Sequence, residues 1–580
     1  MGSLGHTAGK AIQYLREKGP GEMIRRAQLR FGRKRGEKRM LAQARIPERE
    51  LEKQRERVFA PRIRFSIAVP LYNTPADLLA EMIDSVCAQS YGDWELCLAD
   101  GSDESHGEVG EYCLRRAAAE PRIRYRKLEK NGGISENSNA ALEMAEGEYL
   151  ALLDHDDLLT PNALYEMRSA IEKTGADFLY SDEMVFRSPD PNRISVVRLK
   201  PGFAPDTLLT NNYICHLTVF SRELMEKAGK FRKEYDGSQD HDLFLRLTNR
   251  AKGIAHVSKV LYLWRSVPGS TAEDINSKQY AIDAGRRAVR DFLRVERGTD
   301  AEVESTEVFP TMYRVRYPIE GNPRVRVLMD ARRETGGTAE KLRALRETAG
   351  WDNCEWILLG GEETEGAERI EPREGESRSR LWQRAAEGDE EYLLCFDGVP
   401  EPLDQGWLRE MLGHAQQPHV GTVGCKILLR EGNIAHAGVI LGMGPEGVAG
   451  RPYYLAKPET EGYFGQIAVT QNLSAVTDCL LVSRRKMEEA GGFCAEYGDA
   501  LFEVDLCLRL GEKGYYQVFL PHARMRMRRE KETFFDVGRE YATYGEDAKV
   551  FRQRNAAQLR QGDPYYHPML SLKYEDWRYR

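Results

Sequence analysis

No stretch of the 580 residues approaches the ~18 uninterrupted apolar residues that a membrane span needs, and the first residues hold no apolar core of a secretory signal. A cytoplasmic location is the expectation. No C-x-x-C pair occurs among the ten cysteines, Cys87 to Cys507, which argues against a zinc cage or a disulfide frame. They read as small buried hydrophobes in a reducing compartment. Excess positive charge is also missing: 84 Lys and Arg against 91 Asp and Glu leave a net −7, so no nucleic-acid partner is expected. What remains is a 66.0 kDa chain, 41% hydrophobic and 30% charged, with material for more than one core.

The charge is unevenly spread. Residues 1–45 carry twelve Lys or Arg (from Lys10 to Arg45) against Glu17, Glu22 and Glu37, a net +9. Residues 1–60 are therefore expected to form a basic helical extension. It is either a solvated face or a peripheral contact with anionic lipid at the inner face of the membrane, worth about 1 kcal/mol for each basic residue close to the surface.

Beyond the arm, short apolar runs alternate with helical periodicity. Phe65–Val69 and Trp94–Leu98 read as strands, and Leu78, Leu79, Met82, Ile83 and Val86 recur on one helix face between them. Tyr149–Leu153 is a continuous apolar run, as in a strand buried on both faces, and ends in Asp154, His155, Asp156 and Asp157. Thr160 and Pro161 then supply an N-cap and a first-turn proline for the next helix. This rhythm predicts an α/β fold with a mostly parallel sheet.

The chain also repeats itself. Ser221–Phe231 and Ser483–Phe493 agree at seven of eleven positions, and Asp242–Leu247 and Asp505–Leu510 at five of six. Two tandem Rossmann-like domains are expected, 61–318 and 319–580, the second including a C-terminal tail. The Pro- and Gly-containing stretch Tyr317–Pro323 separates them.

Open α/β sheets bind ligands beyond the carboxyl ends of their strands, and Asp154 and Asp156 stand there. Two carboxylates one residue apart can hold a hard divalent cation, which in turn neutralises a diphosphate. Alone, Asp-x-Asp is equally an ordinary solvated turn. Its company is more specific. VPLYNTP (69–75), ELCLADGS (95–102), NGGISENSNAAL (131–142), EYLALLDHDDLLTPNAL (148–164), YSDE (180–183), GSQDHDLFLRL (237–247) and VLYLWR (260–265) follow one another in order. With these seven motifs the sequence strongly resembles the family 2 glycosyltransferases of the GT-A fold, most of all the bacterial two-domain members that build surface polysaccharides. The resemblance runs from about residue 40 to the C-terminal DPYYHPMLSL (563–572).

The resemblance implies a metal-dependent, inverting transfer of sugar from a nucleoside diphosphate, UDP- or dTDP-linked, to a growing glycan, expected to be lipid-linked. It implies that Pro70 and Tyr72 line the base, Asp100 binds it, Asn139 helps close that pocket, Asp154 meets the ribose side, and Asp156 joins it in holding Mg²⁺ or Mn²⁺. For Tyr72 and Asn139 turn packing is the alternative, and for Asp100 an Asx-turn. Asp240, just ahead of a helix whose N-terminus favours its ionised form, is the expected catalytic base. Asp242 is expected to cap that helix or meet the acceptor. Asp182 and Glu183, following the strand Phe178–Tyr180, resemble acceptor-side residues, with exposed loop acids as the alternative. His216 is expected near the acceptor, and Trp264 and Arg265 as a wall of the diphosphate or acceptor site, unless they are a structural histidine and a packed aromatic with a surface cation. One departure stands out: Leu263 replaces the histidine of the subfamily's Tyr-His-Trp-Arg, so a further metal ligand is absent there.

The second copy lacks this chemistry. Gly360 matches Asp100, about Arg380 matches Asn139, Val399 matches Asp156 and Glu503 matches Asp240, while His436 is left as a possible cleft residue. It is expected to be non-catalytic, holding glycan or a partner. The competing readings are a polymerase with two active sites, which needs a donor in the second copy, and a glycan-binding scaffold without turnover.

Overall fold

The computed structural model describes residues 32, 34–266, 279–444, 446–527, 544–574 and 577–580. Of the basic arm, residues 1–31 and 33 lie outside these. Residues 34–44 and Glu48–Glu56 are helical, and Met40 is buried against the body of the protein.

The first sheet has nine strands: β1 Phe65–Leu71, β2 Trp94–Asp100, β3 Ile123–Lys127, β4 Tyr149–Leu152, β5 Leu158–Leu159, β6 Phe178–Arg187, β7 Asp190–Arg198, β8 Thr218–Ser221 and β9 Ile254–Ser266. Their order is β3-β2-β1-β4-β8-β6-β9-β5, with β7 on β6. β1 runs parallel to β2 and β4, β6 parallel to β9, and β8 is antiparallel to both β4 and β6. Every residue of β1 and β2 is buried, because helices cover both faces of the sheet. The helix Ala76–Cys87 shows why: Leu79, Met82, Ile83 and Val86 form one apolar stripe, and all four are inaccessible to solvent.

The second sheet repeats the first strand for strand. Its order is Glu368–Ile370, Cys354–Leu359, Val325–Asp330, Tyr392–Phe396, Cys479–Ser483, Val420–Leu429, Tyr516–Met527 and Glu401–Pro402, with parallel and antiparallel pairings in the same places. Phe65 pairs with Trp94 and Tyr149, and Val325 pairs with Cys354 and Tyr392, so the two registers superimpose. The molecule is two tandem Rossmann-like α/β domains. Separate apolar clusters fill each, and a further cluster joins them, setting Met184, Val197 and Leu199 of the first against Met443, Tyr453 and Trp577 of the second.

All ten cysteines are free thiols, six buried and four half-buried. Among the described residues no helix is long and apolar enough to cross a membrane.

Candidate active site

A small cleft opens past the carboxyl ends of β1 and β4. Pro70, Ile134, Ser138, Asp154, His216 and Asp240 line it. Four expected site residues, Pro70, Asp154, His216 and Asp240, thus meet although up to 170 residues apart in sequence. Tyr72 stands just beyond β1, about half exposed.

Asp154, Asp156 and Asp157 turn out of β4 with different surroundings. The Asp154 side chain is 47% exposed, and its Oδ2 lies 3.7 Å from His216 Nε2. The Asp156 carboxyl is pushed up by burial and by the charge of Asp154, with His155 working the other way. Asp157, which the sequence reading left without a role, is fully enclosed. Its Oδ2 accepts from the Tyr262 hydroxyl at 2.6 Å and its Oδ1 from the Arg265 amide at 2.6 Å. Burial, then the two neighbouring aspartates, push its carboxyl far up.

Asp154 and Asp156 supply two hard oxygen donors of the kind a divalent cation takes, whereas among the described residues the group of three acid and imidazole ligand atoms within 4.8 Å of one another lies elsewhere, at Asp182, His256 and His567. Asp154 and Asp156 are partly open to solvent and repel each other, and among the described residues the buried His155 Nδ1 has no hydrogen-bond partner. A cation would relieve the repulsion with hard oxygen ligands. Although Leu263 puts no imidazole at its own position on β9, His216 brings one beside Asp154 from the segment before β8. Its ring stacks on Tyr262 at 4.6 Å and meets Trp264 edge-on at 5.6 Å.

Asp240 lies in the first turn of the helix Gln239–Arg250, facing this cluster across the cleft. Burial raises its carboxyl to about 6, with Asp154 adding and His216 opposing. A carboxylate poised near neutrality is what proton abstraction from a hydroxyl requires.

Several expected contacts are replaced by structural ones. Asp242 neither caps the helix nor faces the cleft: it is buried and clasped by Arg246, 2.7 Å away, and by Arg232. Asp182 and Glu183 are not in a loop, because β6 continues to Arg187 and buries both. Asp182 accepts from His256 Nε2 at 2.9 Å and from His567 Nε2 at 2.8 Å. Glu183 accepts from Lys200 Nζ and Arg198 Nη1 at 3.0 Å each, and from the amide of His216 at 3.1 Å. Glu183 therefore supports His216 from behind rather than meeting an acceptor. Against burial, the two histidines hold Asp182 below its ordinary range, and Lys200 and Arg198 do the same for Glu183.

Asn139 does not close a pocket. Its amide is spent both ways on the backbone of Phe231, donating at 2.9 Å and accepting at 3.0 Å. Arg265 is no surface wall either. It is buried, donating from Nε to the Asp156 carbonyl at 2.5 Å and from Nη2 to Glu81 at 2.6 Å, and so anchors the aspartate turn. Trp264 sits between His216 and the Arg198 guanidinium, which lies 4.8 Å from its ring centroid. Asp100 is buried and already holds three donors, the Ser102 amide, the Tyr125 hydroxyl and Lys127, in the Asx-turn arrangement.

The matching cleft of the second domain is lined by Arg378, Thr477, Asp478 and Glu503. Asp397 holds the register position of Asp154. Arg378 fills the space between the acids. Its guanidinium lies 3.1 Å from Asp397, 3.3 Å from Glu503 and 3.6 Å from Asp330, beside the rings of Trp382 and Phe502. Burial raises Glu503 to about 7, with Arg378 opposing. His436 is wholly buried and is not part of this cleft's lining.

Residues that bind this way, with carboxylates past a parallel strand and a raised carboxyl opposite, suit a transferase acting on a diphosphate-activated group. Residues 66–229 match the family model described as Glycosyl transferase family 2. The match takes in Pro70, Asp154 and His216 and stops short of Asp240. Among individual proteins, the chain is 35% identical over 534 residues to "Uncharacterized protein y4gI" of Sinorhizobium fredii, covering 88% of this chain and 58% of that protein. It is 30% identical over 532 residues to "O-antigen biosynthesis protein RfbC" of Myxococcus xanthus, covering 88% of this chain and 40% of that one. It thus spans about half the length of these curated relatives. The crystal structure of S. aureus TarS 1-349 in complex with UDP-GlcNAc shares 20% identity, with a TM-score of 0.34, over 40% of this chain and 67% of that one.

Proposed function

We propose that the first domain is a metal-dependent, inverting glycosyltransferase that moves a sugar from a UDP- or dTDP-linked donor to a growing surface glycan carried on a lipid. The observation that carries this reading is the pairing, across one cleft, of Asp240, raised to about 6, with the carboxylate of Asp154, which Asp156 follows in the same turn. Asp240 takes the proton of the acceptor hydroxyl as that oxygen bonds to the anomeric carbon, and the bond from that carbon to the diphosphate breaks with its electrons leaving on the diphosphate. Asp154 and Asp156, with His216 or His155 as a nitrogen ligand, would hold Mg²⁺ or Mn²⁺, which would supply charge neutralisation for the leaving group. Pro70 and Tyr72 are assigned to the nucleotide side. Asp157, Tyr262 and Arg265 keep the aspartate turn in place, and Glu183 and Lys200 hold His216.

The second domain is read as silent toward a nucleotide donor, because Arg378 already neutralises the acids that a metal would need. This disfavours the two-site polymerase. That the Myxococcus xanthus relative is an O-antigen biosynthesis protein supports a cell-envelope glycan as product. Contact of residues 1–45 with the inner face of the membrane is kept as part of this proposal, on charge alone.

The test is a thermal-shift panel of UDP- and dTDP-sugars with Mg²⁺ or Mn²⁺, on the intact protein and on Asp156→Ala. A donor that raises the melting temperature only with metal, in the intact protein alone, is the expected result. Metal-independent donor binding, or an unchanged response in the variant, removes the metal-site assignment. Donor-dependent stabilisation with neither hydrolysis nor transfer would favour the scaffold reading.

A further inference from the structure

A cavity of about 760 Å³ lies between the two domains and shares no lining residue with either acidic cleft. Its first-domain wall is the C-terminal end of the helix Gln239–Arg250, from Leu245 to Asn249, together with Phe203, Phe292 and Arg297. Nine residues of helix separate Asn249 from Asp240, a rise of about 14 Å. The second-domain wall comes from the amino ends of its strands, where Tyr392 and Tyr516 each open a strand and His419 precedes one. Tyr317 closes the cavity from the connection between the domains. The site therefore sits on the opposite edge of the second sheet from Arg378 and Glu503.

We infer that this interdomain cavity is a binding site for a short, uncharged oligosaccharide, a segment of the glycan that the first domain extends. The inference rests on the proposed glycosyltransferase reading. Three observations carry it.

Its walls alternate rings with hydrogen-bonding groups. Phe203, Tyr317, Tyr392 and Tyr516 present apolar rings. Among the described residues, the hydroxyls of these three tyrosines and the Asn249 amide make no side-chain hydrogen bond, and His419 Nδ1 is buried without a partner. His419 Nε2 contacts Asp206 at 3.1 Å, and Asp206 is held down to about 2, against burial, by His419 and Asn472. Asp206 takes up the Nε2 side of the ring, so Nδ1 is the ring nitrogen left to meet a ligand hydroxyl. A pyranose matches such a wall, with C–H faces for rings and hydroxyls for unpaired donors and acceptors.

Charge excludes the competing ligand classes. Apart from His419, the lining holds one cation, Arg297, and one anion, Glu320. That is too little to recognise a diphosphate or an anionic lipid headgroup, each of which needs several donors or a metal.

The cavity is also preformed. Asp206 ties the helix Pro205–Thr210 to His419 and to Asn472, 2.7 Å away; His414 Nε2 reaches the Val315 carbonyl at 3.1 Å; and Arg314 pairs with Glu410. Little ordering cost is left to the binding event. At about 760 Å³ the volume falls within the ~300–1,000 Å³ of ligand sites.

The experiment probes the full chain, and its Tyr392→Ala, Tyr516→Ala and Asn249→Ala variants, on an array of linear tri- to hexasaccharides of neutral sugars, followed by saturation-transfer NMR on the best binder. Expected is binding that weakens about tenfold or more in each tyrosine variant, less in Asn249→Ala, and survives in Asp156→Ala. Asn249→Ala removes only a half-buried amide, so it reports even if a tyrosine variant misfolds. Absence of binding to every glycan, or binding lost in Asp156→Ala and kept in all three groove variants, overturns the inference. Donor hydrolysis read in parallel separates the two claims. Turnover without groove binding sinks the groove alone, and groove binding without turnover sinks the transferase reading alone.

Discussion

Replacing Asp240 by asparagine should make the protein inactive and, at neutral pH, more stable. The carboxyl is raised from an ordinary 3.8 to about 6, first by burial and then by Asp154. At ~1.4 kcal/mol per pH unit, keeping it ionised costs the folded state about 3 kcal/mol, an upper figure because the side chain is only half-buried. The sign follows from linkage. Above pH 6 the group is ionised in both folded and unfolded chains and the full cost is present; as pH falls from 6 to about 4 the folded state takes up its proton first and the cost drains away. Asparagine is isosteric and neutral, so the variant's advantage should be about 1–3 kcal/mol at pH 7.5 and near zero at pH 4. For a domain of 150–250 residues this is a rise in melting temperature of about 2–4 °C per kcal/mol. Transfer should fall by ~10²–10⁴, the usual contribution of a positioned base. The wild-type rate should itself decline tenfold per pH unit below about 6. Calorimetry at the two pH values, paired with a donor-consumption assay, decides the matter. A variant that is destabilised at pH 7.5, or that keeps a tenth or more of the activity, refutes the assignment, since a capping residue would lose stability and a bystander would lose nothing.

Removal of divalent metal by chelation should abolish transfer and be reversed by Mn²⁺ or Mg²⁺, whereas Asp156→Ala should resist rescue; a rate unchanged after chelation contradicts the cation site. Arg378→Met should cost about 3–5 kcal/mol by leaving Asp330, Asp397 and Glu503 buried without their cation. Adding Glu503→Gln should recover part of that loss, with transfer per folded molecule unchanged throughout; additive losses would show that the two do not interact. His567→Ala should cost about 1–3 kcal/mol, since it takes one of two imidazoles from buried Asp182. Because Asp182 is held below its ordinary range, this contribution is present above about pH 4 and drains away as pH falls below it. Urea melts at pH 7 and pH 3 should therefore differ in their wild-type-to-variant gap; an equal gap would reduce His567 to packing.

The α/β rhythm, the duplication and the aspartates past Tyr149–Leu153 were legible in the sequence because each is a local pattern. Apolar period, matching words and a strand ending in acids all fit within a dozen residues. Asp240 was legible too, standing at the head of a helix whose repeat partner begins near Glu503. The roles of Asp182, Glu183, Asp242, Asn139 and Arg265 were not, because a charged or amide side chain next to a motif looks the same whether it faces a ligand or a buried counter-ion. Only the fold decided that His567, 385 residues away, and His256 would clasp Asp182, and that Arg232 and Arg246 would claim Asp242. Sequence likewise showed the second copy losing its carboxylates, whereas tertiary structure put Arg378 into the space they left. It also put the two domains face to face, creating a cavity from Asn249, Tyr317, Tyr392 and Tyr516, which share no motif. Local chemistry is written along the chain, but charge pairing and enclosed volume arise only when distant segments are brought into contact.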